Sequence, residues 1–183
     1  MITKTANRIE DVISVLEFAE QEARSGSYVA VMLSYEAAAA FDPAFVTHPP
    51  SDFPLAWASV FEPGFERDVY ALVDSDPWKS LVTRDEYDRS VRRIQELIAA
   101  GDTYQVNYTF PLTSNFKGDA RAWYRDLCIA QPADYSVFLD LGRYQVLCLS
   151  PELFFERRGN HVITKPMKGT VRRGRWSAED REL

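Results

Sequence analysis

Cysteine, histidine and long apolar runs are all scarce in this sequence, and each shortage excludes a class of protein. Of the 183 residues only two are cysteines and two are histidines, and neither a CxxC nor an HxxxH spacing occurs. A self-contained zinc site is therefore not expected. Cys128 and Cys148 are predicted to be reduced, buried small hydrophobes rather than a disulfide. No apolar run approaches the roughly 20 residues that span a bilayer, so no membrane partner is expected.

Basic residues are also in deficit. The chain has 21 Lys and Arg against 27 Asp and Glu, a net charge of −6 and a pI near 5.0. Nucleic acid is not expected as a partner, because its affinity depends on Lys and Arg contacts to phosphate. Charges interrupt the apolar residues of the N-terminus, which is not a signal-peptide pattern and favours a cytoplasmic location. The chain is long enough for one domain with a substantial core.

Apolar periodicity predicts helices inserted among strands, which is the α+β class. The predicted helices are 8–24, a capped helix that begins after Thr83 and stops at Gly101, and 119–130. The predicted strands are 28–34 (buried on both faces), 55–61 and 103–113, with a short extended segment at 68–73, followed by the hairpins 135–141/144–149 and 153–157/161–165. A proline-rich loop at 41–54 could divide a smaller N-terminal section from the rest.

The segment 150–173 holds the densest set of chemically useful side chains. Its predicted hairpin brings Glu152 back toward Lys168, Gly169 and Thr170. A carboxyl group, an amine and a hydroxyl beside a glycine are groups from which an acid, a nucleophile and a substrate clamp are built. This segment is therefore the first candidate for a functional site.

Lys168 and Glu152 each have a catalytic and a structural interpretation. Lys168 lies between Pro166 and Gly169, and a partly buried amine held there could act as a nucleophile or base. The alternative is an exposed lysine in an ordinary turn. Glu152 follows Ser-Pro, which predicts the start of a helical turn, where it could be a general acid or could simply complement the helix dipole. The residues alone leave both questions open.

Gln105 and Asn107 are predicted to project to the same face of the strand 103–113, because side chains alternate along a strand. Amides on an otherwise apolar strand need hydrogen-bond partners. Either a ligand or nearby backbone groups could supply them.

Two stretches resemble the chorismate-utilising enzyme family and occur in the family's order. They are IAAGDTYQVNYTFPL at 98–112 and SPELFFERRGNHVITKPMKGTVRRG at 150–174. The family includes anthranilate synthase component I, aminodeoxychorismate synthase component I, isochorismate synthase and salicylate synthase. SYEAAAAFDP at 34–43 is similar to the N-terminal region of aminodeoxychorismate synthases. The resemblance implies the layered α/β/β/α sandwich of anthranilate and aminodeoxychorismate synthases.

Two positions within this resemblance favour aminodeoxychorismate synthase component I. Isochorismate and salicylate synthases carry a lysine base where this chain has Gln105, whose amide is not basic at neutral pH. Anthranilate synthases typically have alanine where this chain has Lys168. Lysine at that place is typical of aminodeoxychorismate synthase component I.

The resemblance also implies roles for the site residues. The Lys168 amine would attack C2 of chorismate, Glu152 would protonate the departing C4 hydroxyl, and ammonia would enter at C4. Gln105, Gly169 and Thr170 would bind substrate. The product would be 4-amino-4-deoxychorismate, the precursor of 4-aminobenzoate in folate biosynthesis. The expected cofactor is Mg²⁺, and the expected partners are a glutamine amidotransferase subunit that supplies ammonia and an aminodeoxychorismate lyase, fused or separate.

Members of the family continue beyond the position of Leu183, and that continuation carries the glutamates that bind Mg²⁺. We therefore expect this chain to be the N-terminal portion of the synthase, a truncated sandwich with no metal ligands of its own and no synthase activity alone. Two alternatives are an anthranilate synthase component I and a non-catalytic binding or regulatory module.

Overall fold

The structure of the protein is a computed structural model that describes residues 2–64, 73–166 and 174–179. Its internal contacts divide the chain into two units. The first comprises Met1–Asp68 and Val137–Cys148, and the second comprises Val69–Ser136 and Leu149–Leu183. Both helices and strands occur, which confirms the predicted mixed helix and strand content.

The first unit contains a three-stranded antiparallel sheet with one helix packed on it. The strands are β1 (Ile2–Ala6), β2 (Tyr28–Leu33) and β3 (Ala56–Phe61), in the order β1-β3-β2. A 3-10 turn at Ile9–Asp11 leads into α1 (Val12–Arg24), and a second 3-10 helix spans Tyr35–Ala40. The buried core contains residues from the helix and the sheet: Ala6, Val12, Val15, Ala19, Ala37, Leu55, Ala56 and Ala58. The predicted helix over 8–24 is confirmed, with its first turn wound as 3-10.

The apolar run at 28–34 forms a strand, but the prediction that both its faces are buried is wrong. β2 is an edge strand of the sheet, and Tyr28, Val31 and Leu33 are 60%, 45% and 45% exposed. The central strand is β3, which pairs with β1 through Ala6↔Ala56 and with β2 through Leu33↔Ala56. Ala56 and Ala58 of this strand are fully buried and belong to the same core cluster as Val12, Val15 and Ala19 of α1.

The second unit contains the best-defined helix, α2 (Arg84–Ala100). Glu86 N–H donates to Thr83 Oγ1 at 3.3 Å, and Thr83 N–H donates to Glu86 Oε2 at 2.8 Å. This reciprocal pair is a capping box, and it confirms the predicted cap at Thr83. The hydrogen bond from the Thr83 side chain holds the pKa of Glu86 below its ordinary value. Gly101 ends the helix with φ of +84°, a conformation that favours glycine.

The predicted strand 103–113 is wrong over most of its length. Only its end forms a strand, β6 (Leu112–Thr113), which pairs with β5 (Lys79–Ser80). A similar ribbon joins β4 (Asp74–Ser75) to β7 (Phe116–Lys117). An extended segment becomes a strand only where a neighbour completes its hydrogen bonds, and 103–111 have no ladder partner within the described part of the chain.

The remaining elements follow the predicted order. α3 (Ala120–Ala130) begins after Asp119, whose Oδ1 accepts from the N–H groups of Arg121 and Ala122 at 2.8 and 3.0 Å. Two hairpins come next: β8 (Tyr135–Asp140) with β9 (Gln145–Ser150), and β10 (Leu153–Arg158) with β11 (His161–Lys165). Both helix and hairpins are confirmed. The predicted extended segment 68–73 lies outside the described residues except for Val73.

Both cysteines are free, as predicted, and both are half-buried rather than buried. None of the helices among the described residues combines the length and the apolar character needed to cross a membrane.

Candidate functional site

Glu152 lies in the short connection between β9 and β10, and it is not in a helical turn. Ser150 is the last residue of β9, and Leu153 is the first of β10. The Ser150 hydroxyl donates to the Glu152 carbonyl oxygen at 2.9 Å and accepts from the Glu152 N–H at 3.2 Å. The expectation that Ser-Pro starts a helical turn is wrong here, because the serine side chain closes a tight turn instead.

A cleft of about 330 Å³ opens beside Glu152. Its lining residues are Ser150, Glu152, Leu153, Phe154, Thr164 and Pro166. Both strands of the β10–β11 hairpin contribute, since Leu153 and Phe154 lie on β10 and Thr164 lies on β11. The cleft mixes a carboxylate and hydroxyls with apolar walls, a composition that suits a small polar ligand.

The hairpin brings the two ends of the 150–166 segment together, as the sequence predicts. Pro166 and Glu152 line the same cleft. The other predicted site residues on this segment, Lys168, Gly169 and Thr170, lie outside the described residues. Their roles stay predictions.

Gln105 does not line the cleft beside Glu152. It lies just after α2, where its Nε2 donates to Asn107 Oδ1 at 3.3 Å and its carbonyl oxygen accepts from Thr103 Oγ1 at 3.1 Å. The two side-chain amides therefore bind each other, an arrangement that the sequence did not predict, and the strand that was expected to align them is not formed. Substrate binding by Gln105 stays a prediction.

The described part of the chain does not contain a set of side chains that could bind Mg²⁺. Within residues 2–64, 73–166 and 174–179 there is no group of three or more His, Cys, Asp or Glu that could hold a metal ion. Carboxylate clusters are the usual protein ligands of Mg²⁺. The described residues by themselves therefore do not form a site that fits this ion.

Among the described residues, the pair Asp52 and Tyr144 has the clearest shift in pKa, and it belongs to the first unit. A hydrogen bond from Tyr144 is the main cause that holds the pKa of Asp52 below its ordinary value, with Arg143 adding to it. The same hydrogen bond raises the pKa of Tyr144. Arg143 Nη2 lies 2.6 Å from Asp52 Oδ2, and the Phe53 ring contacts the Tyr144 ring edge-on at 5.2 Å. These contacts fasten the 41–54 loop to the β8–β9 turn.

Comparison with known proteins identifies the class of protein to which this fold and cleft belong. A family profile described as chorismate binding enzyme matches residues 69–183. That span is more than half of the sequence, and the chain belongs to this family.

Individual relatives divide between two activities. Aminodeoxychorismate synthase component 1 of Klebsiella aerogenes is 38% identical over 96 residues, which are 52% of this chain and 21% of that protein. The Escherichia coli protein of the same name is 36% identical over 96 residues, which again are 52% of this chain and 21% of that protein. Anthranilate synthase component 1 of Aquifex aeolicus is 33% identical over 116 residues, 61% of this chain and 24% of that protein. The matched region thus spans less than a quarter of the length of these relatives.

One feature of the site was missed by sequence reasoning: the contact of the Ser150 side chain with the Glu152 backbone. The available signal was a serine two residues before the glutamate, a spacing at which a hydroxyl reaches the backbone and forms a turn. The intervening Pro151 strengthens that signal, because it fixes the backbone without donating a hydrogen bond of its own.

Proposed function

We propose that this chain supplies the acid and the nucleophile of an aminodeoxychorismate synthase component I, which converts chorismate and ammonia to 4-amino-4-deoxychorismate. The observation that carries the proposal is that Glu152 and Pro166 line the same cleft. Pro166 stands two positions before Lys168 in the sequence. Relatives named aminodeoxychorismate synthase support it at 36–38% identity. The ammonia would come from glutamine through an amidotransferase subunit in the cytoplasm, and a lyase, fused or separate, would act on the product.

In the proposed reaction Lys168 Nζ forms a bond to C2 of chorismate while the ring double bonds shift and the C4–O bond breaks. Glu152 gives its proton to the departing oxygen, which leaves as water. This use of a carboxylic acid is reasonable, because hydroxide is a poor leaving group. Ammonia then forms a bond to C4, and the Lys168 amine leaves C2. Splitting the substitution in two lets ammonia enter at a carbon different from the one the enzyme attacks.

The layered α/β/β/α sandwich is part of this proposal. Within the described residues of the second unit, Ala122 is the buried apolar side chain, whereas the apolar residues Phe154 and Val162 of the last hairpin are 87% and 65% exposed. We propose that additional layers of the sandwich cover such faces in the complete synthase, which would also provide the Mg²⁺ ligands.

The test is substitution of Lys168 and Glu152 in the protein encoded by the full reading frame that carries this chain. With chorismate, ammonium and Mg²⁺, Glu152→Gln should lower turnover to 4-amino-4-deoxychorismate by about 100-fold or more, a typical loss for a proton-transfer group. Lys168→Ala should lower it at least as much, because it removes the proposed nucleophile. Lys165→Ala, a change to an exposed lysine on β11, is the matched control and should retain activity. Formation of the same product at the wild-type rate by Lys168→Ala would overturn the nucleophile assignment.

Anthranilate synthase component I is the second candidate, because a relative of that name matches a longer stretch, 116 residues, at 33% identity. The product of the reaction distinguishes the two candidate functions. Anthranilate formed from chorismate and ammonium by the wild-type protein would favour the second candidate.

A further inference from the structure

Ser150 and Glu152 are joined by two hydrogen bonds that use a single hydroxyl. Ser150 Oγ donates to the Glu152 carbonyl oxygen at 2.9 Å and accepts from the Glu152 N–H at 3.2 Å. Pro151 stands between them, with a fixed φ and no N–H to offer. One side chain therefore contacts both backbone polar groups of the residue that carries the carboxylate.

The other side of Glu152 is fixed by the hairpin ladder. Leu153 pairs with Lys165 and Glu156 pairs with Ile163, so β10 advances three residues where β11 advances two. The extra residue in β10 is a β-bulge, a device that changes the direction of neighbouring side chains. Glu152 is thus held between the Ser150 turn and the first pair of a bulged ladder.

We propose that Ser150 is a positioning residue for Glu152 and keeps its carboxylate directed at the reacting atoms in the cleft. Ser150 itself lines that cleft. The inference rests on the proposed function, because the direction of the Glu152 carboxylate affects turnover only if Glu152 is the acid. If the Ser150 hydroxyl is removed, both of its hydrogen bonds to Glu152 are lost, and Pro151 cannot replace them because it has no N–H. Nothing then holds the turn closed. A shift of about 1 Å in a reacting group is enough to slow catalysis severely.

The chain offers a matched control in the same unit. Ser80 Oγ donates to the Val82 carbonyl oxygen at 2.6 Å and accepts from the Val82 N–H at 3.1 Å. This turn has the same two hydrogen bonds but no carboxylate at its third residue. Ser80→Ala therefore removes an equivalent turn without touching Glu152.

The first measurement is amide hydrogen exchange, read residue by residue, and it needs no catalytic activity. Ser150→Ala should accelerate exchange of the Glu152 N–H by about tenfold, since one hydrogen bond of ordinary net strength is lost. Ser150→Thr should keep exchange near that of the wild type, because it retains the hydroxyl. Ser80→Ala should accelerate exchange at Val82 only. Unchanged exchange at Glu152 in Ser150→Ala overturns the proposal.

The second measurement is steady-state kinetics of the protein encoded by the full reading frame. Ser150→Ala should lower kcat by about tenfold with KM changed less than about twofold, because the acid is misdirected while the substrate still binds. Ser150→Thr should recover most of the rate, and Ser80→Ala should match the wild type. An equal loss in Ser150→Ala and Ser80→Ala would show a general effect on folding and would overturn the positioning role.

Failure of this inference is distinguishable from failure of the proposed function. Full activity of Glu152→Gln would remove the acid role whatever Ser150 does. If activity is lost in Glu152→Gln but unaffected in Ser150→Ala, the role of Glu152 as the acid stands and only the positioning role of Ser150 is rejected.

Discussion

Tyr144 shows how one hydroxyl can shift the pKa of a residue distant in sequence. Its hydrogen bond is the main cause of the lowered pKa of Asp52, and Arg143 acts in the same direction. A carboxyl group whose pKa is lower in the folded than in the unfolded protein stabilises the fold at pH values above the unfolded-state pKa. That stabilisation is lost as the pH falls through the folded-state pKa. For Asp52 the ordinary value is 3.8, so the contribution is present at neutral pH and is lost in acid.

We therefore predict that Tyr144→Phe lowers resistance to urea at pH 7 and that its difference from the wild type shrinks below about pH 3.8. Phenylalanine keeps the ring that contacts Phe53 and removes only the hydroxyl. Urea titrations at pH 3, 5 and 7 would measure the difference. The control is Tyr35→Phe, a change to a tyrosine that is 80% exposed in the same unit. An identical acid dependence in Tyr144→Phe and wild type would contradict the assignment.

The same pair gives a second window at high pH. The hydrogen bond to Asp52 raises the pKa of Tyr144 above its ordinary value of 10.0. Its contribution to folding stability is therefore present below pH 10.0 and is lost as the pH rises through the folded-state pKa of Tyr144. Spectroscopic titration of tyrosine absorbance should show the late ionisation of Tyr144, and this signal should be missing in Tyr144→Phe.

Helix α2 is the element whose ends depend most directly on identifiable residues. Thr83 and Glu86 form a reciprocal cap at its start, and Gly101 takes a positive φ at its end. Such signals are local in the sequence, so they could be read without any knowledge of the fold.

For this element we predict that Thr83→Ala lowers the free energy of unfolding by about 1 kcal/mol, the usual cost of losing an N-cap oxygen. Thr83→Ser retains a hydroxyl and should stay close to the wild type. Urea unfolding followed by circular dichroism would measure both. Equal stability of Thr83→Ala and Thr83→Ser would show that the cap observed at Glu86 N–H does not contribute.

Strands were predicted less reliably than helices, for a physical reason. The run 28–34 was expected to be a strand buried on both faces and forms the edge strand β2, while 103–111 was expected to be a strand and is not one. A helix satisfies its hydrogen bonds within itself, whereas a strand depends on a partner that the local sequence does not specify. The hairpins were predicted correctly because each strand's partner follows within a few residues.

At the scale of the whole molecule, the two units differ in how much of a core they contain. The core cluster of the first unit joins helix α1 to its sheet. In the described part of the second unit, α2 has no buried residue, and it leaves an apolar surface open at Ile98, which is 42% exposed. A face of this kind gains stability only when another surface covers it.

We accordingly predict that purified 1–183 alone does not convert chorismate, ammonium and Mg²⁺ to 4-amino-4-deoxychorismate. It should also bind a dye that reports exposed apolar surface more strongly than the protein encoded by the full reading frame. Product formation by 1–183 would contradict the first expectation, and equal dye binding would contradict the second. A soluble 1–183 that binds chorismate without turnover would instead favour the binding or regulatory module.

The sequence by itself determined the family, the helix ends and the two late hairpins, because motifs, caps and tight turns are encoded by neighbouring residues. It also placed Glu152 and Pro166 at the two ends of one hairpin, and both residues line the same cleft. Only the tertiary structure decided which strand occupies the centre of the sheet and which turn Glu152 adopts. Those outcomes depend on partners: β3 pairs on both sides, and the Ser150 hydroxyl binds the Glu152 backbone in place of a helical turn.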